Sequence, residues 1–74
     1  MTIPVDLGNG DMAALDTLTA SRQGLVVVLL DGRVILVPLS WREVQEVTEA
    51  WQGGRLDDLL IRPPYVTFTR TTVH

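Results

Sequence analysis

Residues 25–41 read LVVVLLDGRVILVPLSW, an apolar run, the pair Asp31-Gly32, a second apolar run and a helix start. Asp-Gly between two β-rich runs signals a hairpin, because Gly32 accepts positive φ without steric cost. A two-residue type I′ loop predicts strands over 25–30 and 33–38. Its register pairs Leu30 with Arg33, Leu29 with Val34, Val28 with Ile35, Val27 with Leu36, Val26 with Val37 and Leu25 with Pro38. Side chains alternate across such a ladder. One face then carries Leu25, Val27, Leu29, Val34, Leu36 and Pro38, and the other carries Val26, Val28, Leu30, Ile35 and Val37, with Arg33 near the turn. Neither set is polar, whereas a sheet with one wet face alternates apolar and polar residues. Both faces therefore require a cover. Pro38 has no amide hydrogen, and the missing donor would point away from the hairpin partner, so the outer side of strand 33–38 reads as a sheet edge.

The next segment carries complete helix signals. Ser40 is an N-cap, Glu43 completes a capping box, and Leu39 with Val44 forms a hydrophobic staple. Gly53 and Gly54 suit a left-handed cap after Gln52. Between them Trp41, Val44, Val47 and Trp51 share one stripe, with Arg42, Glu43, Gln45, Glu46, Glu49 and Gln52 largely opposite. Helix 41–52 can thus cover one face of the hairpin.

Upstream, residues 2–7 read as extended and Gly8-Asn9-Gly10 breaks them. Asp11 can then cap a short helix over 11–22, in which Met12, Leu15 and Leu18 keep helical spacing and Gly24 ends the run. A competing reading makes Leu15–Thr19 a strand. Downstream, Leu56, Leu59 and Leu60 suit one more helical turn, until Arg62-Pro63-Pro64 forces extended geometry. The last strand spans 65–73, with Val66 and Phe68 on one face and Tyr65, Thr67, Thr69 and Thr71 on a half-polar one, which implies a wet side or an edge. The expected fold is a single α+β domain over 1–74. A small antiparallel sheet of three or four strands is built on the central hairpin and the C-terminal strand, packed by helix 41–52. Helix 11–22 or a second copy of the chain covers the other face.

At 74 residues and 46% hydrophobic, the chain is near the lower size limit for folding alone, and oligomerisation, a homodimer first, is a natural remedy. It has no cysteine, which excludes a disulfide framework, thiolate metal sites and cysteine nucleophiles. The longest unbroken apolar run, Leu25–Leu30, is far too short to span a bilayer, and no charged leader precedes an apolar core, so the expectation is a soluble cytoplasmic protein without a membrane partner. The basic residues are all arginine and scattered. A net charge of −3 and a pI near 4.7 disfavour nucleic acid, whose phosphates ask for a basic stripe.

Residue chemistry offers no reaction. His74 is a lone terminal histidine without positioned partners. Asp57 and Asp58, even with Glu49, fall short of the converging oxygens that a hard cation recruits, and a capped, solvated turn explains them. Asp31 is explained by its turn. Ser21 and Ser40 lack the strand-turn-helix setting of a nucleophile. Gly8-Asn9-Gly10 has no following Gly-Lys-Ser/Thr, and Tyr65 directly follows Pro63-Pro64, one residue short of a Pro-Pro-x-Tyr motif. No catalytic, cofactor-binding or metal-ligating residue is expected, and the chain reads as a non-enzyme. Glu43, Glu46 and Glu49 make an acidic row that could face a basic partner, although an ordinary solvated helix face accounts for it too. Trp51, near the helix end, is an interface candidate beside its plainer role in core packing. Arg33 and Tyr65 complete the candidate protein-binding set.

The segment Asp31-Gly32-Arg33-Val34-Ile35-Leu36-Val37-Pro38-Leu39-Ser40-Trp41 resembles the signature of the domain-of-unknown-function family 2442, small bacterial and phage domains that read Leu-x-Asp-Gly-Arg-x-Ile-x-Val-Pro-Leu-Ser/Ala-Trp there. The resemblance covers residues 24–41. Members continue with an aromatic residue and Pro-Arg-Leu, and later carry Trp-Pro and an acidic stretch, where this chain has Arg42-Glu43-Val44 and no Trp-Pro. The resemblance implies an accessory or regulatory domain and transfers no activity. The expected function is a non-enzymatic protein-binding module, an antitoxin-like or phage-encoded inhibitor. The alternatives are a structural subunit stable as a homo-oligomer, and a nucleic-acid-binding regulator using Arg22, Arg33 and Arg70.

Overall fold

A computed structural model of the chain describes residues 2–62 and 65–71. Pro63, Pro64, His74 and the end of the expected last strand, Thr72 and Val73, lie outside the described residues. The elements run β1 (Pro4–Asp6), β2 (Met12–Ser21), β3 (Gly24–Leu29), β4 (Val34–Val37), α1 (Trp41–Gln52), β5 (Leu56–Arg62) and β6 (Tyr65–Arg70). Among the described residues the strands make one sheet of six in the order β4-β3-β2-β1-β5-β6. It is wider than expected, and mixed instead of antiparallel throughout, because β1 and β5 run parallel.

Helix α1 has the bounds its local signals predict. The Ser40 hydroxyl accepts from the Glu43 N–H (3.4 Å) and donates to the Glu43 carboxylate (3.2 Å). At the other end the Gly54 N–H donates to Trp51 O and the Arg55 N–H to Ala50 O, with Gly54 at φ +68. That pair of bonds is a Schellman cap. The buried stripe is Val44, Val47 and Ala50. Trp51 packs partly buried against the same core, whereas Trp41, assigned to the stripe, is 63% exposed.

The hairpin forms, but one residue out of the expected register. Leu25 pairs with Val37, Val26 with Leu36, Val27 with Ile35 and Val28 with Val34. Among the described residues none other than glycine has positive φ, so Asp31 cannot occupy a type I′ turn, which needs positive φ at both central positions. Instead Leu30-Asp31-Gly32 forms a three-residue loop with Gly32 alone at φ +92, closed by Leu29 N–H to Arg33 O (2.9 Å) and Gly32 N–H to Leu29 O (3.0 Å). Asp31 braces it by accepting from the Arg33 N–H (3.0 Å). Slipping one residue moves every β4 side chain to the opposite face. Ile35 and Val37 therefore join Leu25, Val27 and Leu29 on the helix side, while Val34 and Leu36 join Val26 and Val28 on the other.

The N-terminal helix over 11–22 is not present. That stretch is β2, in line with the competing strand reading, and β2 lies inside the sheet between β3 and β1. The helical turn at Leu56–Leu60 is β5. Both corrections have one cause. The β2–β3 register jumps between Leu15–Leu29 and Thr17–Val28, leaving Asp16 as an extra residue. The β5–β6 register jumps between Leu56–Arg70 and Asp58–Thr69, leaving Asp57 extra. A bulge shifts the alternation by one, so Leu15 with Leu18, and Leu56 with Leu59, lie three apart yet face the same core. Three-residue apolar spacing imitates a helix.

The core is a single cluster of buried aliphatic residues between α1 and one sheet face, from Val5 through Leu25, Val27 and Val37 to Leu59 and Ile61. No buried side-chain polar atom among the described residues lacks a partner. No helix among them is long and apolar enough to cross a membrane.

Gly24 opens β3 at φ +142, and a Cβ there would run into the Val37 carbonyl oxygen and the backbone at Pro38 and Leu39. Gly32 has open space around it. Gly24→Ala is expected to lower the unfolding free energy by about 2 kcal/mol or more, and Gly32→Ala by about 1 kcal/mol, from its positive φ alone. Urea titrations followed by tryptophan fluorescence check the order, and equal losses would count against this turn geometry.

Candidate functional site

Helix α1 occupies one face of the sheet, and the segment expected to cover the other is itself a strand. Among the described residues nothing covers that second face. Its residues follow from strand alternation and the observed registers. On β3 and β4 they are Val26, Val28, Val34 and Leu36, paired Val26–Leu36 and Val28–Val34. Thr19 and Thr17 of β2 stand beside Val26 and Val28. Val34 is 63% and Leu36 47% exposed. This half of the face carries no charge.

The other half is polar. Asp6 of β1 lies level with Met12 and Leu60, and Asp58, Leu60 and Arg62 of β5 pair with Thr69, Thr67 and Tyr65 of β6. A shallow depression of about 380 Å³ lies here, its lining including Pro4, Asp6, Met12, Asp58 and Thr69. Its carboxylates already serve the backbone. Asp6 Oδ1 accepts from the Gly8 N–H (2.8 Å) and Asp58 Oδ1 from the Thr69 N–H (3.0 Å). Asp57 accepts from the Thr71 hydroxyl, which ties this bulge residue to the chain leaving β6. No group of His, Cys, Asp or Glu among the described residues could hold a metal ion.

The residues singled out from the sequence do not converge. Glu43, Glu46 and Glu49 are solvent-exposed on α1, and Trp51 is partly buried against the core beneath the helix. Tyr65, 73% exposed, lies on the opposite sheet face on β6. Arg33 lies at the hairpin turn by the far edge, where its Nε donates to Asp31 Oδ2 (2.8 Å). Val26, Val28, Val34 and Leu36 are the set that sequence reasoning split between two faces. The signal that could have joined them is Gly32, which fits the last position of a three-residue loop as well as a type I′ turn.

No family model, no curated protein and no solved structure matches the chain.

The hydrogen bond from the Arg33 backbone, with the guanidinium's bond and charge behind it, holds the Asp31 carboxyl below its ordinary pKa of 3.8. A carboxylate whose folded pKa is depressed stabilises the fold above its unfolded pKa, and that contribution fades as pH falls through the folded value. The carbon shift of the Asp31 carboxyl is accordingly expected to titrate with a midpoint below 3.8. Any stability difference between wild type and Asp31→Asn should be present near neutral pH and vanish once Asp31 is protonated. A midpoint at or above the ordinary value would remove the brace from this account.

Proposed function

We propose that this chain is a non-enzymatic protein-binding module, an antitoxin-like or phage-encoded inhibitor or regulator, that acts by direct contact through Val26, Val28, Val34 and Leu36. The observation that carries this reading is the uncharged aliphatic half of a sheet face left open beside a polar half. Apolar patches of a few hundred Å² on a small soluble domain mark interaction sites. Thr17 and Thr19 beside the patch and Arg33 at the hairpin turn give the polar border that usual interfaces have. The acidic row of α1 lies on the other side of the sheet, so a partner seated here need not meet it. The resemblance of Asp31–Trp41 to family 2442, whose members look like accessory or regulatory domains, leans the same way.

The test replaces valine by its polar isostere, which keeps the β-branched shape that strands favour. Val26→Thr with Val28→Thr is expected to weaken capture of a partner from the native host by about tenfold or more, since each apolar contact is exchanged for a buried hydroxyl. Glu43→Gln, Glu46→Gln and Glu49→Gln together should leave capture unchanged. Binding that follows the glutamates and ignores the valines would move the site to the helix. Substrate turnover abolished by a single polar substitution would end the non-enzymatic reading.

A further inference from the structure

Among the described residues, four of the six large exposed apolar side chains gather about one strand, Met12 and Tyr65 being the other two. Val34 and Leu36 lie on β4, Leu30 in the loop before it and Trp41 shortly after it, each between 47% and 63% exposed. β4 is an outer strand. Because Leu29 and Arg33 form a hydrogen-bonded pair (2.9 Å), ladder alternation turns the backbone groups of Ile35 and Val37 toward β3 and those of Val34 and Leu36 outward. Soluble proteins guard such edges with charge, proline or a bulge. Val34–Val37 contains no charged residue and no proline, and its register with β3 is unbroken.

We infer that a second copy of this chain pairs β4 against β4, antiparallel, about a two-fold axis through Ile35 and normal to the sheet. Val34 of one copy then faces Leu36 of the other, and each outward N–H and C=O of both residues finds a partner. Centring the axis on Leu36 instead would set Val34 opposite Pro38, which has no N–H to give, so a Val34 carbonyl would go unpaired. Reversal about Ile35 also brings the loop of one copy, with Leu30, alongside the segment that leads into Trp41 of the other.

Charge permits this contact. The chain is acidic, with a net charge of −3, but the charges beside β4 are Asp31 and Arg33, which neutralise each other within one copy. The area sets the strength. Leu30, Val34, Leu36 and Trp41 leave on the order of 400 Å² per copy in water, and backbone, Pro38 and Leu39 bring the contact to roughly 600 Å² per copy, the low end for specific interfaces. A contact of that size suits a concentration-dependent dimer. The pairing keeps both open faces on the same side, leaves Val26 and Val28 of β3 free, and does not rest on the function proposed above.

Sedimentation equilibrium from roughly 10 µM to 1 mM is expected to show the mass rising from 8.2 kDa toward twice that value. Leu36→Pro removes an outward N–H that β3 does not use, and Val34→Lys places a guarding charge on the edge. Both should raise the dissociation constant at least a hundredfold, while Thr69→Lys on β6 leaves it unchanged. A wild type that stays monomeric throughout overturns the inference, as does a dimer that survives both β4 substitutions or is lost in Thr69→Lys. If the β4 variants fail to fold, hydrogen exchange of the wild type decides. Slowing of the Val34 and Leu36 amides with protein concentration supports the pairing, and free exchange from the dimer overturns it.

Discussion

Among the described residues a single helix packs on a sheet six strands wide, and the unequal widths of the two layers govern the rest of the structure. An α-helix is about 10–12 Å across with its side chains, whereas strands spaced about 4.8 Å apart make six of them more than twice as wide. Helix α1 meets β2, β3 and β5 and buries Val44, Val47 and Ala50 there. The outer strands β4 and β6 are less fully covered, although Val37 of β4 is buried in the shared core. Ile35, Val66 and Phe68 consequently remain only partly buried although they point to the helix side. Phe68 receives the Arg70 guanidinium 5.2 Å from its ring centroid, a cation–π contact that offsets part of the missing cover.

What the amino-acid order makes legible is what is local. Ser40, Glu43, Gly53 and Gly54 mark a helix whose bounds need no tertiary information, and the alternation of Val66 and Phe68 with Thr67 and Thr69 sorts β6 correctly. The failures share a non-local origin. Bulges at Asp16 and Asp57 are defined by the strand opposite, so spacing within β2 or β5 cannot reveal them, and the resulting three-residue rhythm reads as helix. The hairpin slip is subtler, because Asp31-Gly32 fits two loop lengths and the choice between them sets the parity of β4.

The same parity decided how much of the candidate site was visible. An apolar excess on both hairpin faces already demanded two covers, and the edge character of β4 was readable from Pro38. The composition of the open face was not, since a slip by one residue exchanges Ile35 and Val37 for Val34 and Leu36. Arg33 reads from the sequence as a candidate binding residue, and its bonds to Asp31 within the turn depend on the loop geometry. The acidic row of α1 was correctly seen as a surface feature and lies on the side of the molecule away from the bare valines.

Strand β1 is three residues long, yet it sits between β2 and β5 and joins the two halves of the sheet. Its antiparallel bond to β2 closes over a short loop, but its parallel bond, Val5 with Leu59, closes over about fifty residues, the kind of contact whose loop entropy slows folding. The β2–β4 meander can form from near neighbours, and so can the β5–β6 hairpin. Their union waits on the longest closure in the molecule. Stability and folding speed thus lean on different parts of the chain, the first on the aliphatic core under α1 and the second on a three-residue strand that adds only Val5 to that core.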